Sequence, residues 1–134
     1  MIKFFRKHTI LLTTLAGIIT AIVLFLTLIP AEELGHSRIW EYDKPGHMLM
    51  FGTWTFFFGL LRYIKKHPTL PNFSFEFIVA SMFGLSIEIL QYILPIHRTA
   101  DLFDFTADVI GIIIAVALLK LISRNSYKEE AIAN

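Results

Sequence analysis

Residues 88–111 read EILQYILPIHRTADLFDFTADVIG and join two strongly apolar segments of the chain. This stretch nevertheless holds six side chains that a membrane sequence usually avoids: Glu88, Gln91, Arg98, Asp101, Asp104 and Asp108. A carboxylate at the centre of a bilayer costs about 2.5–3.5 kcal/mol on insertion scales, so it must lie at a membrane edge, face a bundle interior or be paired. The stretch therefore predicts a polar site within an apolar, helical fold.

The composition of the whole chain indicates a polytopic membrane protein. Of its 134 residues, 55% are hydrophobic and 17% are charged, whereas soluble domains are usually about 45–50% apolar and about 25% charged. This length fits a single domain, residues 1–134. A net charge of +1 with dispersed basic residues argues against a nucleic-acid-binding protein. Without cysteine, the chain can form neither disulfides nor a thiolate nucleophile.

Outward from the central stretch, four segments are apolar enough to cross a membrane. The spans are expected at residues 9–30, 46–62, 75–94 and 105–122. About 20 residues of helix cross a hydrocarbon core of about 30 Å. Pro30 is expected to end the first span, and Pro45 to lie in the first turn of the second. The first apolar run is too long for a signal peptide, so it is interpreted as an uncleaved span. The polar tail is expected to fray.

The distribution of lysine and arginine predicts the orientation of the chain. With four spans, nine of these residues fall on the side of the N-terminus and three on the opposite side. Basic residues concentrate in cytoplasmic loops of membrane proteins. The sequence therefore predicts an all-α, four-transmembrane-helix bundle with both termini in the cytoplasm and the polar stretch at the outer face.

This topology brings separate parts of the chain to the outer face. The predicted site residues are Asp43, Lys44, His47, Glu88, Gln91, Arg98, Asp101, Asp104 and Asp108. Spacings of three and four residues place Glu88 with Gln91 on one helical face, and the three aspartates on another. Because both faces approach the outer ends of their helices, we expect one shared polar cluster.

Three residues of the cluster are catalytic candidates: Glu88, Asp104 and His47. Partly buried carboxylates are suited to general acid–base chemistry, and an imidazole can relay protons near neutral pH. The other six are binding candidates, in which Arg98 and Lys44 would hold a phosphate or carboxylate. Simpler interpretations remain open. The aspartates can cap a helix N-terminus, Lys44 can contact headgroups, and the whole cluster can be a structural charge network.

Other kinds of chemistry find less support in the sequence. His47 and the carboxylates would suit a divalent cation, but no strict metal motif such as HExxH is present, so no metal ligand is assigned and the cofactor is unknown. Ser81 and Ser86 lack the GxSxG context of a serine nucleophile. Proton or ion translocation is disfavoured, because the inner halves of the spans offer no relay of ionisable residues.

Two blocks of residues stand in a characteristic order. The first is Asp43-Lys44-Pro45-Gly46-His47 followed by Phe51, a DKxxH-x₃-F pattern. The second is an ExxQ…P…R…D…G pattern formed by Glu88, Gln91, Pro95, Arg98, Asp104 and Gly111. Together they resemble the VanZ-like family of small bacterial membrane proteins over residues 43–111. Asp108 stands where that family often carries asparagine.

The resemblance implies a bacterial inner-membrane protein, from a family in which some members are linked to low-level resistance to the glycopeptide teicoplanin. It implies no established reaction. Two functions therefore remain open: an enzyme acting on an envelope lipid or cell-wall precursor at the outer leaflet, or a non-catalytic protein whose cluster binds such a ligand, an antibiotic or a partner helix. We expect a polar outer-face site that acts on or binds an envelope lipid or precursor, with the oligomeric state left open.

Overall fold

The computed structural model describes residues 7–30, 43–66, 72–96 and 101–133, and no strand occurs among them. The helices are α1 (Thr9–Leu28), α2 (Asp43–Lys66), α3 (Ser74–Ile93) and α4 (Leu102–Ala133). The all-helical part of the prediction is therefore confirmed.

Prolines set the ends of α1 and α3. Ile29 and Leu94, the residues before Pro30 and Pro95, have extended backbones with ψ angles of 135° and 144°. A proline ring disfavours helical geometry in the residue that precedes it. The bounds of α1 and α3 consequently lie within two residues of the predicted spans 9–30 and 75–94.

The other two helices are longer than their predicted spans. In α2 the helix begins at Asp43, so Pro45 lies in the first turn, where its missing N–H breaks no helical bond. In α4 the helix continues to Ala133, through most of the tail that was expected to fray. The physical reason is that this tail contains neither proline nor glycine and holds good helix formers such as alanine, glutamate and lysine.

The second helix, α2, is the central helix of the bundle. It contacts α1, α3 and α4, and its contact with α4 is the most extensive. A Cβ atom at Gly52 would lie 3.1 Å from the carbonyl oxygen of Gly111, and a Cβ atom at Gly111 would lie 2.9 Å from the carbonyl carbon of Met48. The two backbones therefore approach so closely that Gly111 has no room for a side chain.

The outer faces of the bundle are apolar. Large side chains such as Ile18 on α1, Met82 on α3 and Leu118 on α4 are exposed, whereas in α2 the exposed large apolar residue is Leu49. Extended apolar surface of this kind is typical of contact with lipid. Among the described residues, α1, α3 and the Leu102–Tyr127 part of α4 are long and apolar enough to cross a membrane, and α2 is not.

Consecutive helices run in opposite directions, so four helix ends meet. Gln91, at the end of α3, donates a hydrogen bond of 2.8 Å to the carbonyl oxygen of Thr27, near the end of α1. Lys44, at the start of α2, lies 3.3 Å from Asp101, just before α4. We call this end of the bundle the polar end. The opposite end, where α2 finishes with Arg62, Lys65 and Lys66, is called the basic end.

Candidate functional site

A buried imidazole–carboxylate pair lies at the centre of the polar end. The Nδ1 atom of His47 lies 3.0 Å from Oδ1 of Asp108, and the two side chains are 2% and 0% exposed. His47 also stacks on Phe51, one turn further along α2, with ring centroids 6.3 Å apart. The pair joins α2 to α4 and holds the imidazole in one orientation.

Glu88 brings α3 into the same cluster. It is 5% exposed, and its Oε2 atom accepts a hydrogen bond of 2.9 Å from the backbone N–H of Asp101. Its other oxygen, Oε1, is buried without a hydrogen-bond partner among the described residues. Buried polar atoms are nearly always hydrogen-bonded. An unpartnered carboxylate oxygen is therefore a position at which a ligand, an ion or a water would be bound.

Lys44 and two aspartates form the outer layer of the polar end. The Nζ atom of Lys44 lies 3.3 Å from Asp101 and 3.4 Å from Asp104. The side chain of Lys44 is 52% exposed, so these ion pairs add little stability. These ion pairs keep the positive charge of Lys44 close to the acidic residues at the start of α4.

Asp101 also caps the N-terminus of α4. Its Oδ1 atom accepts a hydrogen bond of 2.8 Å from the backbone N–H of Phe103. This hydrogen bond, with the attraction of Lys44, holds the pKa of Asp101 below its ordinary value. The contacts favour the simpler interpretation of Asp101 as a helix cap.

Gln91 lies on the same face of α3 as Glu88 but contacts a different partner. Its amide donates to the carbonyl oxygen of Thr27, among the last four carbonyls of α1, which have no partner within their own helix. The side chain is buried. This contact fixes α1 against α3, and the prediction that Gln91 binds a ligand remains a prediction.

The structure thus brings most of the predicted cluster together at one end of the bundle. The residues that meet there from three different elements are Lys44, His47, Glu88, Asp101, Asp104 and Asp108. The side chain of Asp43 and the whole of Arg98 lie outside the described residues, so their binding roles also remain predictions. A ring nitrogen of His47 and one oxygen each of Glu88 and Asp108 lie within 4.8 Å of one another, so these three of the described residues are close enough together to coordinate one metal ion.

A cleft between α3 and α4 leads to Glu88. It has a volume of about 380 Å³ and is lined by Leu85, Glu88, Ile89, Tyr92, Asp101, Leu102 and Phe105. Most of this lining is apolar, and its two carboxylates both belong to the polar end. A cleft that is apolar along its length and acidic at one wall suits an amphiphilic molecule.

One buried acid was missed by the sequence analysis. Glu76, in the first turn of α3, is 2% exposed and forms an ion pair with Arg62 at the basic end. The inner halves of the spans therefore do contain an ionisable residue. Helical spacing was the available signal, because Glu76 shares the buried face of α3 with Gly84 and Glu88.

The two ends are nevertheless separated by an apolar core. Between them lie the buried side chains of Val23, Phe51, Trp54, Ala80, Ile87 and Ile112. The described part of the chain holds no ionisable residue from 48 to 61, from 77 to 87 or from 109 to 119. Among these described segments, no ionisable side chain lies between Glu76 and Glu88.

Comparison with known proteins identifies the family. A family model described as VanZ/LLP1 matches residues 8–123, which is most of the chain. No curated protein and no solved structure matches the chain. The protein belongs to the VanZ/LLP1 family, and the suspected VanZ-like resemblance is confirmed.

Proposed function

We propose that this VanZ/LLP1 protein is a bacterial inner-membrane protein whose polar end, at the outer surface, binds or acts on an envelope lipid or cell-wall precursor. Its effect on the cell would be a change in sensitivity to glycopeptides such as teicoplanin. The observation that carries the proposal is Glu88, a buried carboxylate at the wall of a cleft between two lipid-facing helices, with one oxygen that has no hydrogen-bond partner among the described residues.

The proposal includes four spans with both termini in the cytoplasm. In this arrangement α2 spans the membrane together with α1, α3 and α4, although its hydropathy is lower than theirs. Because α2 contacts all three other helices, and Leu49 is its exposed large apolar residue among those described, it needs less apolar surface than a helix that faces lipid. The excess of lysine and arginine on the side of the N-terminus, nine against three, supports the orientation.

The cleft supports a ligand with both an apolar and a polar part. The side chains of Leu85, Ile89 and Phe105 would contact an acyl or prenyl chain, while the ligand's headgroup would lie against Glu88. Burying hydrocarbon against such residues is favourable by about 25 cal/mol per Å² only when the hydrocarbon was exposed to water before. The chain of a membrane lipid is already surrounded by hydrocarbon. In a membrane the selectivity must therefore come from the polar wall.

Glu88 and His47 would carry any chemistry at this wall. A carboxylate with one free oxygen can accept a proton from a headgroup hydroxyl or a bound water, as a general base does. The contact of His47 with Asp108 would orient the imidazole for proton transfer, as in other acid–base sites. The non-catalytic alternative uses the same contacts for binding alone.

A susceptibility assay in a teicoplanin-sensitive host tests the proposal. Glu88→Gln, Arg98→Gln and Asp104→Asn would be compared with the wild type at equal membrane abundance. Glu76→Gln is the matched control, since Glu76 is equally buried on the same helix but lies at the other end. We expect Glu88→Gln to abolish the effect of an enzyme and to retain part of the effect of a binding protein.

The outcome that contradicts the proposal is equally specific. If all three polar-end variants behave as the wild type while remaining in the membrane, the polar end does not act on envelope sensitivity. If Glu76→Gln has the same effect as Glu88→Gln, the loss reflects the fold and not the site.

A further inference from the structure

Three buried ionisable side chains of the polar end come from three different helices. His47 belongs to α2, Glu88 to α3 and Asp108 to α4, and all three are at least nine-tenths buried. One potential ligand atom from each lies within 4.8 Å of the other two. No motif in the sequence marks this set, because its members are separated by 41 and 20 positions (88 − 47 and 108 − 88).

We propose that His47, Glu88 and Asp108 form a binding site for one divalent cation. Metal–ligand distances to imidazole nitrogen and carboxylate oxygen are about 2.0–2.2 Å. Neighbouring ligands at right angles are then about 3.0 Å apart, and opposite ligands about 4.2 Å. The 3.0 Å between Nδ1 of His47 and Oδ1 of Asp108 equals the first separation. All three ligand atoms lie within 4.8 Å of one another, so no pair exceeds the second separation by more than about 0.6 Å.

Glu88 supplies an independent reason to place a ligand here. Its Oε1 atom is buried without a hydrogen-bond partner among the described residues, although Oε2 accepts from the backbone of Asp101. Leaving such an atom unsatisfied is destabilising, and more so when the group is charged. A cation on this carboxylate would remove that cost.

The type of donor indicates the class of cation. Two carboxylates favour magnesium, calcium or manganese, while an imidazole favours zinc or iron. A set of one nitrogen and two oxygens therefore suits a first-row divalent ion such as Mn²⁺ or Zn²⁺. Three protein ligands leave coordination positions for water or for oxygens of another molecule.

The wall around Asp108 keeps its carboxylate in place. A Cβ atom at Gly84 on α3 would lie 3.0 Å from Oδ2 of Asp108 and 3.4 Å from the ring of Phe51. The carboxylate therefore packs directly against the backbone of α3, where any side chain would push it away. The cation would be coordinated by one side chain from each of three helices, which already lie at the required spacing.

The proposal goes beyond the proposed function, because a cation can bind here whether or not a lipid does. The test measures the binding of Mn²⁺ to the purified protein in detergent. Binding is monitored as the loss of the electron paramagnetic resonance signal of free Mn²⁺. We expect one ion per chain, and an affinity at least tenfold weaker in Glu88→Gln. Glu76→Gln, a buried acid outside the cluster, is expected to bind as the wild type does.

A spectroscopic readout keeps the test independent of folding defects in the variants. Electron spin echo modulation of the bound Mn²⁺ in the wild-type protein is expected to contain the nitrogen frequencies of one coordinated imidazole. These frequencies should be lost in His47→Gln. No binding up to millimolar Mn²⁺, no nitrogen modulation in the wild type, or equal binding by Glu88→Gln would each overturn the cation site.

Discussion

Replacing Gly111 by alanine tests the close approach of α2 and α4 that positions the polar end. A Cβ atom at this residue would lie 2.9 Å from the carbonyl carbon of Met48 and 3.1 Å from the nitrogen of Gly52. Carbon atoms in contact are normally about 3.5–4.0 Å apart, so the helices must separate by about 0.6 Å or more. Both opposing atoms belong to the backbone, so neither can rotate out of the way.

The expected magnitude follows from two opposing effects. Overpacking of this kind costs about 1–3 kcal/mol, and alanine regains up to about 1 kcal/mol of helix propensity over glycine. Because the opposing atoms are backbone atoms that cannot rotate away, the overpacking cost lies in the upper part of that range, about 2–3 kcal/mol, and the net loss in the free energy of unfolding is about 1–2 kcal/mol. At about 4 °C per kcal/mol for a chain of this size, the melting temperature should fall by about 4–8 °C.

Gly17→Ala in α1 is the matched control. Apart from the backbone of α1 itself and the two neighbouring residues, no atom of the described residues lies within 4 Å of a Cβ atom built there, so the main change is in helix propensity. The assay is thermal unfolding in detergent, followed by circular dichroism, for both variants and the wild type. We expect Gly17→Ala to melt at or above the wild type. If Gly111→Ala does the same, α2 and α4 do not pack as closely as the structure indicates.

Two further predictions concern contacts at the polar end. Gln91→Leu removes the hydrogen bond that the Gln91 amide donates to the carbonyl oxygen of Thr27, so the free energy of unfolding should fall by about 0.5–1.5 kcal/mol in the same thermal assay; an unchanged melting temperature would contradict this contact. In the folded protein the pKa of Asp101 is lowered. The ionised form therefore stabilises the fold at pH values above the ordinary pKa of aspartate, and this contribution is lost as the pH falls through the lowered pKa. The melting temperature of the wild type should therefore decrease more steeply below pH 4 than that of Asp101→Asn, and parallel decreases would contradict the cap.

The sequence was sufficient to predict the course of the chain through α1 and α3. Apolar runs that end before Pro30 and Pro95 are readily interpreted as helices, and the ends observed lie within two residues of those predicted. The grouping of Glu88 and the aspartates at one end also followed from alternating spans. These features depend on local pattern and chain length, which a single sequence contains.

Partner choice across helices could not be predicted in the same way. Which acid faces His47 depends on the rotation of α2 about its axis and on its close approach to α4 at Gly111. The same holds for Gln91, whose partner is a backbone carbonyl of α1 and not a member of the cluster. The ion pair of Glu76 with Arg62 likewise joins two helices, and it depends on how α2 and α3 are rotated against each other.

Native mass spectrometry of the protein extracted from bacterial membranes tests the central claim most directly, namely that the polar end is a binding site for an envelope molecule. Wild-type protein and Glu76→Gln are predicted to retain a lipid or cell-wall precursor as a discrete added mass, and Glu88→Gln is predicted to retain clearly less of it. A wild-type spectrum without any retained molecule, or equal retention by Glu88→Gln, would contradict the account.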